Sequence, residues 1–520
     1  MANGNGQAFV FGFSPKALEA RFVLNPEVIL RDESRYHPDL YLVRLVRQGV
    51  FYCVDKIAFD CLVYLFQPRR LQDVINYYLR VGGYDVNKET IQNFKALMAK
   101  LVMDEVVWHL PKGTSYTPPS RPIYLQVPKD FQYPSVYEPF SFPFNVTFVP
   151  TAYCNLKCLH CMASQLPRGK GELSLEEIFG LLTSLDEAGT WSLKISGGEP
   201  MTHPQIEDIL LYAARCRFSV AFLTNATLIN EQNITTFATV AQMKGKNGFA
   251  LGISLDGASA ETHEWLRRVP GSFWKTLHAL ELLKQANIPF NINSIIHRKN
   301  LHELEKMIEL AFDKGATSIA FVIPCPLGRA SGNKELAFLS EEVRAIGEKF
   351  ARLQEKYPNV SFEHRHMVFP KQFHPLPWVK SKNRSTDTEF ITPPPGTCPA
   401  GMTHMAISSY GIVYPCIDAL GVDDMAMGNI REEDVVQIWR KNSWNLFRGG
   451  FTFDQLWVCN TCSSREYCGV MHCRAYPWAS LGDPYGPKPE CLRNFKGLGI
   501  PPEIVRRFKD KLVPLFDGEI

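Results

Sequence analysis

The sequence predicts an α/β protein: a parallel sheet of alternating strands and helices, with a small helical unit before it and a cysteine-rich region after it. Three observations carry that prediction. From Phe144 to about Arg329, apolar and β-branched runs alternate with helical stretches, the pattern of βαβ units. Between Arg21 and about Leu110, a hairpin pattern is followed by three helical ones. Ten of the fourteen cysteines fall in two groups, Cys154 to Cys161 and Cys398 to Cys491.

Composition narrows the classes. A chain of 520 residues suggests two to four domains, and 45% hydrophobic residues supply cores for them. A net charge of +3 argues against broad nucleic-acid or membrane binding. No signal-peptide pattern follows Met1 and no apolar run is long enough to span a bilayer, so a cytoplasmic location is expected. Fourteen cysteines without a secretory signal point to metal rather than disulfides. Cys53, Cys61, Cys216 and Cys325 stand outside the two groups and read as small buried hydrophobes.

In chain order, residues 1–20 read as a flexible tail and 21–110 as a compact winged-helix-like unit. Tyr41–Val46 and Val50–Val54 flank Arg47-Gln48-Gly49 as a hairpin. Ile57–Phe66 and Arg70–Val81 have helical spacing; Ile91, Phe94, Leu97, Met98 and Leu101 mark a third helix with Asn87 as its N-cap. Val106-Val107-Trp108 closes the unit with a short strand. Residues 111–143 are rich in proline and tyrosine, as in Thr117-Pro118-Pro119, and read as an extended linker.

Residues 144–340 hold six strand candidates: Phe144–Val149, Ser192–Ser196, Phe218–Leu223, Phe249–Ser254, Phe290–Ile296 and Ser318–Ile323. Leu175–Ala188, Pro204–Arg215, Lys275–Ala286 and Leu301–Gly315 are helical between them. Residues 341–392 form a bridging segment, 393–500 the cysteine-rich region and 501–520 a C-terminal helix or tail.

The chemistry sits where strands end. Cys154, Cys158 and Cys161 lie at C-x3-C-x2-C spacing in TAYCNLKCLHCM, after the first strand. Three thiolates on one loop grip three corners of a [4Fe–4S] cluster and leave its fourth iron open to a chelating ligand. Gly197-Gly198-Glu199-Pro200 follows the second strand, where glycines let a backbone approach a ligand and Glu199 accepts from an ammonium. Thr224-Asn225-Ala226-Thr227-Leu228 follows the third, and Ser254-Leu255-Asp256-Gly257 the fourth, ahead of His263-Glu264-Trp265-Leu266-Arg267. Pro326-Leu327-Gly328-Arg329 follows the sixth, with Cys325 just before it.

These elements resemble those of the radical S-adenosylmethionine (radical SAM) enzymes. The resemblance implies a partial (β/α)6 TIM-type barrel whose working residues gather at the C-terminal strand ends. It implies that Cys154, Cys158 and Cys161 hold the SAM-binding [4Fe–4S] cluster. Gly197, Gly198, Glu199, Pro200, Asn225, Ser254, Asp256 and Arg267 would then bind SAM. Glu199 would hold the amino group and Arg267 the carboxylate, with Arg268 competing for the second role. Reductive cleavage of SAM would yield a 5′-deoxyadenosyl radical that abstracts hydrogen from substrate.

The C-terminal cysteines resemble the SPASM extension, a region that binds two auxiliary [4Fe–4S] clusters. Twelve residues separate Cys398 from Gly411 and four more lead to Cys416; Cys459-x2-Cys462-x5-Cys468-x4-Cys473 and Cys491 follow. The family has x3 where this chain has x4 before Cys473, which puts His472 at the x3 place. By resemblance Cys398, Cys416 and Cys473 hold the first auxiliary cluster, and Cys459, Cys462, Cys468 and Cys491 the second. The fourth ligand of the first is His404, another residue, or an open position.

FVLNPEVILRDE, YLVRLVRQGVFYCVD and the helices after them resemble the small PqqD-like domain, or RiPP recognition element, of peptide-modifying enzymes. That resemblance implies a ribosomally made precursor peptide whose leader adds as a strand beside the hairpin of 21–110. The enzyme would draw electrons from a flavodoxin or ferredoxin and would use neither nucleic acid nor membrane. Thioether or carbon–carbon crosslinking, epimerisation and backbone excision all fit. Two other readings stay open: a maturase of a folded protein, of sulfatase-maturase type, and a redox sensor with a DNA-binding winged helix.

Overall fold

The computed structural model describes residues 15–34, 39–117, 139–165, 170–325, 327–331, 333–338, 340–363, 398–451, 455–459, 462, 473–493, 500 and 502–507. The expected tail to residue 14, most of the linker, Pro326, Cys468, His472 and the last residues fall outside them. Among the described residues no helix is long and apolar enough to cross a membrane.

The N-terminal unit opens with a short helix, α1 (Pro15–Leu18), and strands β1 (Arg21–Leu24) and β2 (Ile29–Asp32). The expected hairpin forms as β3 (Tyr41–Leu45) and β4 (Val50–Val54), with Leu45 opposite Val50 and Gly49 at φ +67° in the turn. Helices α2 (Lys56–Tyr64), α3 (Leu71–Gly82) and α4 (Lys88–Met103) follow, with the two-residue strand β5 (Arg69–Arg70) before α3. Asn87 caps α4 by accepting from Thr90 N at 2.9 Å, and Asp55 caps α2 by accepting from Ala58 N at 2.7 Å. The hairpin is two-thirds of a meander, because β2 pairs with β3 from Ile29↔Arg44 to Asp32↔Tyr41. The closing strand β6 (Val107–Leu110) joins β1 instead, in a second sheet ordered β5-β1-β6. β1 and β2 escape a reading by alternation because each is four residues long.

The central sheet carries seven parallel strands: β7 (Asn145–Phe148), β8 (Ser192–Ile195), β9 (Ser219–Thr224), β10 (Phe249–Ser254), β11 (Asn291–Ile295), β12 (Ser318–Val322) and β13 (Val360–Glu363). Between them run α5 (Leu175–Glu187), α6 (Ile206–Arg215), α7 (Ile234–Lys244), α8 (Ala260–Arg267), α9 (Ser272–Gln285), α10 (Leu304–Asp313) and α11 (Ser340–Lys356). α5 starts in a capping box, Ser174 with Glu177, and buries Ile178, Leu181, Leu182 and Leu185. Each such side chain contributes about 1.5–3 kcal/mol on leaving water. α11 and β13 occupy the start of the expected bridging segment, so the barrel's sheet continues past residue 340.

The C-terminal region extends the same sheet on its other edge. β14 (His404–Ile407) pairs parallel to β7 from His404↔Asn145 to Ile407↔Phe148. β15 (Ile412–Tyr414) and β16 (Gly428–Asn429) add antiparallel. The order β13-β12-β11-β10-β9-β8-β7-β14-β15-β16 has two free ends, so the barrel is open, as a partial barrel must be. Short helices α12 (Val435–Trp439), α13 (Ala475–Leu481), α14 (Pro489–Arg493) and α15 (Pro502–Arg507) complete the described part.

The two ends of this barrel are used differently. The N-terminal unit packs on the end where strands begin: Ile29, Leu42 and Val46 meet Phe140, Phe144 and Trp191. There Arg31, 1% exposed, pairs with Glu33 and donates to Ser141 Oγ (3.0 Å), Phe142 O (2.6 Å) and Gly189 O (3.4 Å). The cysteine loop leaves β7 at the opposite end, where strands finish.

Candidate active site

Backbone hydrogen bonds hold the cysteine loop from three sides. Lys157 N and Leu159 N donate to Arg267 O (3.2 Å) and Leu266 O (2.9 Å), tying the loop to the last turn of α8. Gly198 N and Glu199 N donate to Thr151 O (3.2 Å) and Tyr153 O (2.7 Å). Arg329 N reaches Cys161 O at 3.2 Å and Arg329 Nε reaches Cys158 O at 2.8 Å. Cys158 is buried, and Cys154 and Cys161 are half-buried. Burial pushes the Cys154 thiol up to about 11, and the charges of Cys158 and Cys161 add to that effect, so the three sulfurs lie close together. A bound cation removes that penalty and makes thiolates of them. Leu156 N donates to Cys154 Sγ at 3.4 Å and Arg267 Nη1 to Cys158 Sγ at 3.6 Å, the kind of donor that tunes a cluster's potential. This donor set fits an iron–sulfur cluster held by three cysteines.

A Cβ on Gly198 would lie 2.1 Å from Tyr153 O, and one on Gly197, at φ +120°, would lie 2.2 Å from Val149 Cγ1. Their missing side chains let the turn close against the cysteine loop and the end of β7. Pro200 is buried and starts a single turn of helix. Glu199, 2% exposed, accepts from Thr224 Oγ1 (2.6 Å), Asn225 N (2.8 Å) and Met201 N (3.1 Å). Burial raises its pKa despite those three donors. A carboxylate has about four acceptor sites, so one remains for an ammonium. Asn225 donates to Asn155 Oδ1 at 3.0 Å on the cysteine loop and accepts from Thr227 N at 2.9 Å. Ala226, where the family has glycine, is held at φ +61°.

Asp256 and Arg267 form a fully buried ion pair. Asp256 Oδ1 also accepts from Ile295 N at 2.8 Å. Burial works to raise the Asp256 carboxyl, but the Arg267 guanidinium, together with His160 and His263, outweighs it and holds the group at about 2. Asp256 therefore orients Arg267 rather than facing a ligand. Arg267 spends Nε on Asp256 and Nη1 on Cys158, which leaves its remaining donors for a carboxylate. The ambiguity with Arg268 is resolved by burial: Arg268 is exposed at φ +61° as the C-cap of α8. Ser254 is half-buried at the end of β10. The sequence reading missed the polar collar around the pair. His263 Nδ1 accepts from Asp256 N at 3.2 Å, and Asn300 Nδ2 donates to Asp256 O at 3.0 Å. His263 Nε2 and both ring nitrogens of His297 are buried without a hydrogen bond among the described residues.

The C-terminal cysteines converge from distant parts of the chain. Cys398 and Cys473 share a hydrogen bond, and Cys416 bears on both. Of that pair Cys473 carries the anion, because the Cys398 thiol donates to it and Lys488 and Arg474 lie beside it. Cys462 and Cys491 pack against one apolar group with Val458 and Leu492. Cys459 lies near Arg474. Cys468, the remaining expected ligand, is outside the described residues. His404 opens β14 with Nδ1 2.7 Å from Thr403 Oγ1. Tyr476, fully buried, packs with Cys325, Leu327, Met162 and Cys473, so one wall joins the barrel mouth to the first auxiliary site.

Comparison with known proteins agrees with this geometry. The radical SAM superfamily model matches residues 148–311, and the SPASM iron–sulfur cluster-binding model matches residues 398–463. An AdoMet-dependent heme synthase of Methanosarcina barkeri is 30% identical over 347 residues, 66% of this chain and 94% of that one. The mycofactocin maturase MftC of Mycobacterium tuberculosis is 27% identical over 367 residues, 68% of this chain and 83% of its own. Among solved structures, Streptococcus suis SuiB bound to S-adenosylmethionine superposes with a TM-score of 0.61 at 17% identity, covering 90% of this chain and 98% of SuiB. SuiB bound to its precursor peptide SuiA gives a TM-score of 0.59 over 87% and 96% of the two chains. The chain belongs to the radical SAM superfamily, with a SAM-binding [4Fe–4S] cluster in its barrel and auxiliary clusters in its SPASM domain.

Proposed function

We propose that the chain is a radical SAM maturase of a ribosomally made precursor peptide, with residues 21–110 as its peptide-binding unit. The observation that carries this reading is the β2-β3-β4 meander, whose outer strand β4 has no strand partner beyond it among the described residues. A free strand edge takes an extended peptide by backbone hydrogen bonds. The cluster and SAM, when bound, supply one-electron chemistry that removes a hydrogen atom from an unreactive carbon. Cys154, Cys158 and Cys161 hold the cluster in this reading. Glu199 and Arg267 bind the two ends of the amino-acid moiety of SAM, Gly197, Gly198 and Pro200 shape the turn beneath it, and Asn225, Ser254 and Asp256 support it. Cys398, Cys416 and Cys473, and the set of Cys459, Cys462, Cys468 and Cys491, hold the auxiliary clusters.

Geometry adds a constraint. The N-terminal unit sits at the opposite end of the barrel from the cysteine loop. Strands of four to six residues span roughly 13–20 Å, so the modified residue lies at least about four extended residues from the part held at β4.

A second reading follows from the heme-synthase relatives: activity on their substrate, with the N-terminal unit structural. The matched 347 residues leave about a third of this chain without a counterpart there, as the MftC match also does, whereas the SuiB superposition covers 90% of the chain, which supports the peptide reading. The test is anaerobic turnover of the reduced, SAM-supplied full chain with its co-encoded short peptides. A mass change in one peptide, lost when proline is placed in the leader segment that pairs with β4, supports the proposal. Conversion of the heme-synthase substrate with every peptide unchanged overturns it.

A further inference from the structure

We propose that Arg474, with Lys488 beside it, is a buried positive charge shared by the two auxiliary cluster sites that raises the reduction potential of both. Arg474 follows Cys473 directly and is 1% exposed. Its Nη1 donates to Pro484 O (3.1 Å) and Gly486 O (3.2 Å). That turn is where the two cysteine sets meet. Asp483 Oδ2 accepts from Trp457 Nε1 at 2.8 Å, two residues before Cys459, and Lys488 O accepts from Cys491 N at 2.9 Å. The guanidinium is thus pinned on a turn that holds Cys459 and Cys491 on one side while its own backbone continues from Cys473 on the other. It lies 5.5 Å over the Phe451 ring, which shields it from water. Lys488, 3% exposed, holds Nζ 5.5 Å over the Tyr476 ring on the Cys473 side.

Reduction adds one electron to a cluster and makes it more negative. A fixed cation in a water-poor site favours that state, so the potential rises. Arginine suits the task because it stays protonated at any working pH. No bond changes and no proton moves in this step; the electron comes from the external reductant, dithionite in the test. The inference rests on the auxiliary-ligand assignment and is independent of which substrate the enzyme takes.

The experiment is dye-mediated redox titration of the reconstituted full chain, read by electron paramagnetic resonance, with iron counted on the same samples. Arg474→Gln should lower both auxiliary midpoint potentials and leave the barrel cluster's unchanged. Arg474→Lys, which keeps the charge, should stay near wild type. Lys488→Met should lower the midpoint of the Cys473-side cluster. The proposal is overturned if Arg474→Gln moves one auxiliary midpoint or neither, or if Arg474→Lys shifts as far as Arg474→Gln. Loss of auxiliary iron in both Arg474 variants makes the residue structural and also overturns it. If Arg474→Gln alone loses iron, Lys488→Met decides: a lowered midpoint sustains the proposal and an unchanged one ends it. A wild-type chain with iron at the barrel loop alone removes the premise, and the iron count makes that failure separately readable.

Discussion

The two ends of the barrel carry buried arginines of opposite character. At the end covered by the N-terminal unit, Arg31 meets Glu33, Ser141, Phe142 O and Gly189 O, and Arg217 meets Asp186 through Nε (3.2 Å) and its backbone oxygen through Nη2 (2.7 Å). Those two guanidiniums are matched by protein acceptors, while Arg44 Nε, Thr190 Oγ1 and Trp191 Nε1 at the same end are buried without a hydrogen bond among the described residues. At the other end Arg267 has one carboxylate and one cysteine sulfur, Glu199 keeps a vacant acceptor site, and His263 and His297 bury unsatisfied nitrogens. Native proteins leave few such groups, and they concentrate where something else binds. The arginines of the first end meet only protein acceptors, whereas Arg267 at the second keeps donors that the described residues do not use.

The strongest test of that contrast removes the cysteine loop's chemistry. Replacing Cys154, Cys158 and Cys161 together by alanine should abolish reductive SAM cleavage while auxiliary iron stays bound, checked by 5′-deoxyadenosine assay and iron count. Persistent cleavage would move the active site elsewhere.

Breaking one ion pair at each end should separate stability from chemistry. Arg31→Met leaves the buried Glu33 with Ser141 but without its cation, and Asp256→Asn leaves Arg267 without its anion; each should cost about 3–5 kcal/mol in denaturant titration. Only Asp256→Asn should also depress SAM cleavage per folded molecule. Equal loss of cleavage in both variants would erase the distinction between the ends.

Acid should affect the cofactor end first. Burial is the main cause that holds His160 at about 3 and His263 and His297 at about 4, against an ordinary 6.5. The unfolded chain takes up protons near 6.5 that the folded barrel refuses until about 4, so stability falls as pH drops through that window. Asp256 acts in the same direction over a lower window: its depressed pKa stabilises above about 3.8, and that contribution is lost as pH falls toward about 2. Melting of the iron-free protein from pH 7 to 4 should show the decline, and His297→Gln should flatten it.

The smallest expected effect is at Ala226. A non-glycine residue at φ +61° costs roughly 1–2 kcal/mol, partly offset by glycine's extra unfolded-state freedom. Ala226→Gly should therefore raise stability by up to about 1 kcal/mol, measured as a shift in melting temperature, with SAM cleavage retained.

Much of this was legible in the chain. Repeated alternation over residues 144–323 marks six strands because each turns one face into the buried core and is bounded by turns. The cysteine spacings mark the ligand loop because one short loop must reach several irons. What was not legible depends on partners far away in sequence. β1, β2 and β14 are three- or four-residue-scale elements whose pairing is decided by tertiary neighbours, and β14 continues a sheet begun some 260 residues earlier. The contacts of Gly197 and Gly198 with the end of β7 and the cysteine loop, and the pairing of Asp256 with Arg267, are set by segments far apart in the chain. Arg474 and Tyr476 carry no pattern of their own, and only folding brings them against cysteines from two sets.

The account's central claim is that the end left incomplete by folding is completed by one SAM-binding cluster, with two more held by the C-terminal cysteines. The direct measurement is anaerobic: reconstitute the full chain, count iron, reduce with dithionite, add SAM and assay 5′-deoxyadenosine. The account predicts about twelve irons per chain, three four-iron clusters, together with product. About four irons with product, or full iron loading with no product even when the peptide substrate is present, would contradict it.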